Sequence, residues 1–167
     1  MKIDLHVHTL ERSPCSLASE DEQILTAIDR GLDGLAITDH DRLVPQDHIA
    51  LLNRKYAPFH VFGGIEISLQ EGEHAPVLGV HAPDLERTMW TYPELHALVR
   101  EQGGWLAIAH PFRFGPSINV DIERYPPDAL EGCSINVPLQ QASHIREIAA
   151  DLEIQVVCNS DAHRMQY

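Results

Sequence analysis

Short apolar runs alternate with amphipathic stretches along the whole chain, and this alternation limits the possible folds more than any other feature. The apolar runs are residues 2–8, 34–38, 60–67, 77–81, 105–109, 129–135 and 154–158. Each is the length of a strand rather than of a helix. Between them, Ser19 with Glu22 three residues later is a capping-box signal, and Ile24, Leu25 and Ile28 follow before a stop near Gly31. Residues 45–54 read as a short helix. Thr91, Pro93 and Glu94 open another that ends at Gly103-Gly104, and residues 140–152 read as a fourth. Alternating strands and helices predict an α/β fold with a mostly parallel sheet and helical crossovers. Seven strands predict a small or distorted β/α barrel, whose site gathers at the C-terminal strand ends. One connection departs from this rule. About ten residues separate Glu66 from the next apolar run, and a parallel crossover needs a dozen or more. A tight hairpin is predicted there, with residues 75–81 running back antiparallel.

Length and charge narrow the function. A chain of 167 residues suits one domain with one sizeable core. No internal repeat or low-complexity segment interrupts it. The formal charge of −13 repels nucleic-acid phosphates and anionic lipid, so general nucleic-acid or membrane binding is not expected. No apolar run approaches the ~20 residues of a membrane span, and Met1–His6 carries no long apolar region of the signal-peptide type. Cys15, Cys133 and Cys158 are few and odd in number, which argues against a disulfide framework and fits a reducing cytoplasm.

The unusual composition lies in eleven histidines, and they concentrate at strand ends. His6 and His8 close the first run. Residues i and i+2 of a strand face the same way, so both imidazoles can reach one ion. Asp4 shares that face and could orient a ligand. The second run ends in Thr38-Asp39-His40-Asp41, the third in Glu66, the fifth in His110, and the last in Asp161-Ala162-His163. Imidazole and carboxylate together suit Zn²⁺, Mn²⁺ or Fe. Each residue alone reads as easily as a surface or loop side chain; the conjunction points to one shared site. Between His74 and His81 the hairpin favours His74, which lies beside the turn near Glu66. His48, His60, His96 and His144 read as structural or exposed.

These stretches resemble a known family. Asp4-Leu5-His6-Val7-His8-Thr9, Ala36-Ile37-Thr38-Asp39-His40-Asp41, Gly64-Ile65-Glu66, Ala109-His110-Pro111 and Ser160-Asp161-Ala162-His163 are similar, in order and over nearly the whole chain, to the motifs of the PHP (polymerase and histidinol phosphatase) family. The resemblance implies a distorted seven-stranded β/α barrel with two or three divalent metal ions, in most members a phosphoesterase. It implies metal ligands at His6, His8, His40, Glu66, His74, His110, Asp161 and His163, with the glutamate bridging two ions. Two departures stand out. Many members carry an Asp or His five to six residues after the second histidine, where this chain reads Glu11-Arg12-Ser13-Pro14-Cys15-Ser16; Cys15 is either a soft ligand or a turn cysteine. The chain also stops four residues after His163. Without a closing helix the last strand would be poorly covered, or covered by a partner such as a second copy of the chain.

The expected activity is hydrolysis of a small phosphorylated substrate. Two ions roughly 3.5–4 Å apart could share a hydroxide, since bound water falls toward a pKa of about 7. Asp161 or His163 could relay a proton. The guanidinium of Arg113, three residues beyond His110, is suited to grip a phosphate, with Arg12 and Arg164 as further candidates. Two other readings stay open: an amidohydrolase-like enzyme acting on a non-phosphate substrate, and a non-catalytic metal-binding regulatory module.

Overall fold

The computed structural model describes residues 1–165. The strands are β1 (Ile3–Val7), β2 (Gly34–Ile37), β3 (His60–Ser68), β4 (His74–Leu78), β5 (Trp105–Ile108), β6 (Ala129–Cys133) and β7 (Gln155–Cys158). The helices are α1 (Glu20–Asp29), α2 (Gln46–Tyr56), α3 (Tyr92–Glu101) and α4 (Leu139–Asp151). Local chemistry starts them where the sequence indicates. The Ser19 hydroxyl accepts from the Glu22 amide at 3.3 Å while Glu22 accepts from the Ser19 amide at 2.8 Å, which satisfies two free donors at the start of α1. Thr91 and Glu94 begin α3 in the same way, the Glu94 carboxylate accepting from the Thr91 amide and hydroxyl.

The strands form one curled sheet in sequence order. All neighbours run parallel except β4, which is antiparallel to both β3 and β5. The predicted hairpin is therefore present, shifted toward the turn. β4 begins at His74 and stops at Leu78, because Gly79 takes a left-handed φ of 76° that ends the extended run. The sheet closes only at its C-terminal edge. There, a parallel bridge joins Val7 to Ala162, the His8 amide donates to Ala162 O (3.0 Å), and the Asp161 amide donates to His6 O (3.0 Å). Asp4 serves this closure rather than an imidazole, since its Oδ1 accepts from the backbone amides of His6 and Ser160.

Two apolar cores fill the curl and its outer faces. One joins Ile65, Val77, Leu106, Ile108 and Leu130 to the buried faces of α3 and α4. The other packs Leu35, Ile37 and Val61 against Ile24 of α1 and Ile49 of α2. β7 is the least covered strand, with Gln155, Val156 and Cys158 exposed.

The cysteine arithmetic is corrected. Cys133 and Cys158 are joined by a disulfide. The parallel register of β6 and β7 sets them opposite each other, with Cα atoms 4.7 Å apart, inside the range a disulfide can span. Counting cysteines could not show this, because the pairing is made by two strands 25 residues apart. It also removes the thiol argument for a reducing compartment. Among the described residues, no helix is long and apolar enough to cross a membrane.

Candidate metal centre

Glu66 stands at the middle of the site, fully buried near the end of β3. Its Oε1 lies 3.2 Å from His6 Nε2, 3.4 Å from His74 Nδ1 and 3.4 Å from His110 Nε2. Its Oε2 lies 3.2 Å from His8 Nε2 and 3.0 Å from His40 Nδ1. Asp161 Oδ1 closes the group at 3.4 Å from His6 Nε2 and 3.2 Å from His8 Nε2. His163 stacks on His8 with ring centroids 4.2 Å apart. All eight residues expected as ligands are thus brought to one end of the sheet. His74 faces Glu66 from the first residue of β4, whereas His81 is exposed and meets Gln46 at 3.0 Å.

Two of these residues sit on backbone that few side chains adopt. His110 has φ 29° and Asp161 φ 54°. Non-glycine residues held there cost of order 1–3 kcal/mol and cluster at functional sites. At these positions the turn after the strand points the side chain into the centre.

The donor set fits divalent cations. Glu66 Oε1 and Oε2, His40 Nδ1, His74 Nδ1, both ring nitrogens of His110 and Asp161 Oδ1 are buried without a hydrogen-bond partner. The short contacts above therefore bring these atoms together without hydrogen-bond geometry. Buried polar atoms in such a state are costly unless something binds them. Compact ligand groups already exist: His6 with His8 and Asp161, and His40 with Glu66 and His74, each with ligand atoms within 4.8 Å of one another. Imidazole with carboxylate is the ligand chemistry of Zn²⁺, Mn²⁺ and Fe.

Charge around the cluster follows from burial and neighbours. Burial opposes a charged His6, yet Glu66 and Glu131 beside it raise its pKa well above the ordinary range. Burial likewise opposes an ionised Glu66, but His6 and the other imidazoles hold its pKa well below the usual carboxylate range. The ion-free cluster therefore keeps protons on imidazole nitrogens that an ion would replace.

Several supporting residues escaped the sequence reading. Glu131, buried in β6, accepts from His6 Nδ1 (3.0 Å), from the His110 amide (3.0 Å) and from Asn159 (3.1 Å). It holds the Nδ1 proton of His6, so that Nε2 is the nitrogen that would face an ion in the centre. Ser13 stands 3.3 Å from His8 Nδ1 and accepts from the His40 amide, and Asn136 donates to Asp161 Oδ2. An acid inside the apolar run Ala129-Leu130-Glu131-Gly132-Cys133 was the available signal for Glu131.

The arginines separate. Arg113 lies at the rim, its Nη1 3.9 Å from Asp161 Oδ2, its guanidinium 5.3 Å from the Phe114 ring, and its side chain 37% exposed. Arg164 is exposed beside His163. Arg12 is not available to an anion. Its Nε donates to buried Asp39 (3.0 Å) and its Nη2 to Glu20, so its charge is already compensated inside the protein.

No protein family and no curated protein matches the chain by sequence. Solved structures match it by shape. A candidate metal-dependent phosphoesterase from Bifidobacterium adolescentis superposes with a TM-score of 0.79 at 15% identity, over 100% of this chain and 89% of that one. A two-domain protein from Bacteroides vulgatus containing a predicted PHP-like metal-dependent phosphoesterase gives 0.77 at 16%, over 99% of this chain and 53% of that one. An amidohydrolase from Chromobacterium violaceum, with sulfate and no metal bound, gives 0.75 at 17%, over 98% and 88%. Endonuclease Q, in complex with a duplex bearing an abasic lesion at the active site, gives 0.65 at 16%, over 98% and 49%. The fold is thus the distorted barrel of PHP-like metal-dependent phosphoesterases. One such fold carries several chemistries, so substrate must be argued from this chain's own site.

Proposed function

We propose that this protein is a metal-dependent hydrolase of phosphate esters acting on a small phosphorylated substrate. The observation that carries the reading is the ring of buried, unpartnered imidazole and carboxylate atoms around Glu66, with Arg113 at its rim. Two or three divalent ions held there would supply a water nucleophile at neutral pH and positive charge for the phosphoryl oxygens.

The protein's own groups divide the remaining work. His6, His8 and Asp161 would hold one ion, and His74, His110 and His40 another, with Glu66 between them. Asp161 and His163 stand where a proton could be passed, His163 at the outer edge of the cluster. Arg113 offers a planar pair of donors for phosphoryl oxygens, and its partial exposure leaves it free to turn toward a substrate. The compensated Arg12 takes no part in this binding. The formal charge of −13 favours a small substrate over a polynucleotide. Against an amide or lactone substrate stands the absence of a bridging lysine. The two lysines are Lys2, just before β1, and Lys55 of α2, which pairs with Asp21 of α1.

The test is release of p-nitrophenol from mono- and diester substrates by the Mn²⁺-loaded protein, with a chelated control, an oligonucleotide control and Arg113→Ala. Turnover that chelator abolishes, and that falls in Arg113→Ala with metal content unchanged, is the expected result. Full metal loading with no ester turnover would reject the phosphoesterase reading. Cleavage confined to the oligonucleotide would reject the small-substrate reading.

A further inference from the structure

We infer that the Cys133–Cys158 disulfide is a redox-sensitive lock: closed, it fixes the ends of β6 and β7 that position His6, and a dithiol reductant opens it. Resting on the metal-centre reading above, the lock is indifferent to which ester is cleaved. The bond joins the last residue of β6 to the last residue of β7, at the end of the sheet where the ligands gather. A bulge puts it there. Glu131 pairs with Val157 and Cys133 with Cys158, so two steps along β6 oppose one along β7, and Gly132 is the extra residue. Regular stepping would set Cys158 against Gly132. A Cβ at Gly132 would collide with the Val156 side chain, so the close approach of the strands requires glycine.

Both arms of the bond lead to His6. From Cys133 the chain runs back through Gly132 to Glu131, which accepts from His6 Nδ1 at 3.0 Å. From Cys158 it runs on to Asn159. The Asn159 amide donates to Cys133 O at 3.0 Å, and its Nδ2 donates to Glu131 Oε1 at 3.1 Å. Its Oδ1 accepts from the Leu5 amide at 3.2 Å, next to His6 in β1. The disulfide and these hydrogen bonds thus enclose the carboxylate that turns His6. The bond is also reachable. Cys158 is exposed and lines an open surface cleft of about 230 Å³ with Lys2, Asp4 and Asn159, whereas Cys133 is half-buried. Exposed disulfides are the labile ones. A thiolate of the dithiol attacks Cys158 Sγ, and the electron pair of the broken S–S bond leaves on Cys133 Sγ, which takes a proton from solvent. The second thiol of the reductant then displaces Cys158 from the mixed disulfide. Two protein thiols and one oxidised reductant result, with two electrons transferred.

The test compares the oxidised chain, the same chain treated with dithiothreitol under native conditions and desalted without oxygen, and the double variant Cys133→Ser/Cys158→Ser. Mn²⁺ is the probe, because it binds thiolates poorly and so does not report on the freed sulfurs. Its affinity for the folded protein is read by competition with a chelator. Amide exchange across residues 129–134 and 157–163 is read by mass spectrometry of the metal-free protein. Dithiothreitol is expected to open the bond without unfolding, to lower Mn²⁺ affinity by about 10-fold and to quicken exchange in both segments. The double variant matches the reduced chain and does not respond to dithiothreitol. A bond that opens only on unfolding, or a response that persists in the double variant, would overturn the lock. So would unchanged Mn²⁺ affinity on reduction, even with a lower Tm, since that is the behaviour of a plain staple. If no form binds Mn²⁺, the metal-centre reading fails and exchange decides the lock: faster exchange on reduction upholds it, and equal exchange overturns it.

Discussion

Glu131 shows how one side chain can govern a centre it does not enter. It receives the Nδ1 proton of His6 and the amide of His110, and so sets two ligands at once. Carboxylates that accept the far N–H of a ligating imidazole are worth about 10–100-fold in metal affinity. Glu131→Gln is therefore expected to weaken metal binding by about that factor, measured by competition with a chromophoric chelator; unchanged affinity would mean that His6 is oriented by packing alone. Titration gives a second residue-scale expectation. The raised pKa of His6 means that, at neutral pH, an entering ion displaces protons. Metal affinity should fall as pH is lowered, and calorimetry in buffers of different ionisation enthalpy should show proton release. Asp161 sets the acid side in the ion-free protein. Burial opposes its ionisation, but the His8 imidazole 3.2 Å from its Oδ1 and the charge of His6 hold its pKa at about 2, against an ordinary 3.8. A depressed carboxylate contributes stability that is present above its ordinary value and lost as pH falls through its folded one. Acid unfolding of the stripped protein should therefore sharpen below about pH 4 and shift to higher pH in Asp161→Asn.

Among the elements, α1 and the β3–β4 hairpin carry the site differently. α1 is tied beneath the metal loop through Gln23, whose amide donates to His8 O at 2.8 Å and Ala162 O at 3.0 Å. Its start rests on the Ser19 cap, and Ser19→Ala should cost about 1 kcal/mol, read as a lower Tm with metal ligands unaltered. The hairpin depends on Gly64. A Cβ there would stand 2.8 Å from Val77 O and press on the Leu78 side chain, so β3 and β4 would have to part. Gly64→Ala should destabilise by about 1–3 kcal/mol and also weaken metal binding, because the same register sets Glu66 and His74. The capping boxes and the hairpin were legible in the sequence because they arise from neighbours a few residues apart. The end of β4 was misplaced because the left-handed turn at Gly79, rather than apolar character, decides where that strand stops.

For the whole molecule, the candidate metal centre is also the closure of the sheet. Asp161 and Ala162 bond to His6 and His8 across the seam between the first strand and the chain after the last. Any ion that binds the native ligands but not the unfolded chain stabilises the fold, by about 2.7 kcal/mol at one hundred times its Kd. Chelation should lower Tm, and re-addition of Zn²⁺ should restore it. Alkylation of unfolded protein should label one cysteine before reduction and three after it, because Cys133 and Cys158 are joined and Cys15 is free.

The strand-end placement of His6, His8, His40, Glu66, His110, Asp161 and His163 could be read from the chain itself, because strand periodicity and the ends of apolar runs are local properties. The tertiary structure alone decided that Glu131 turns His6, 125 residues away. It also decided that Arg12 is spent on Asp39 and Glu20, that Cys133 meets Cys158, and that Cys15 stands beside His40 and His163. Those pairings depend on sheet register and on the curl that brings the chain after β7 against β1. Both are set by packing among residues far apart in sequence, so no local pattern carries them.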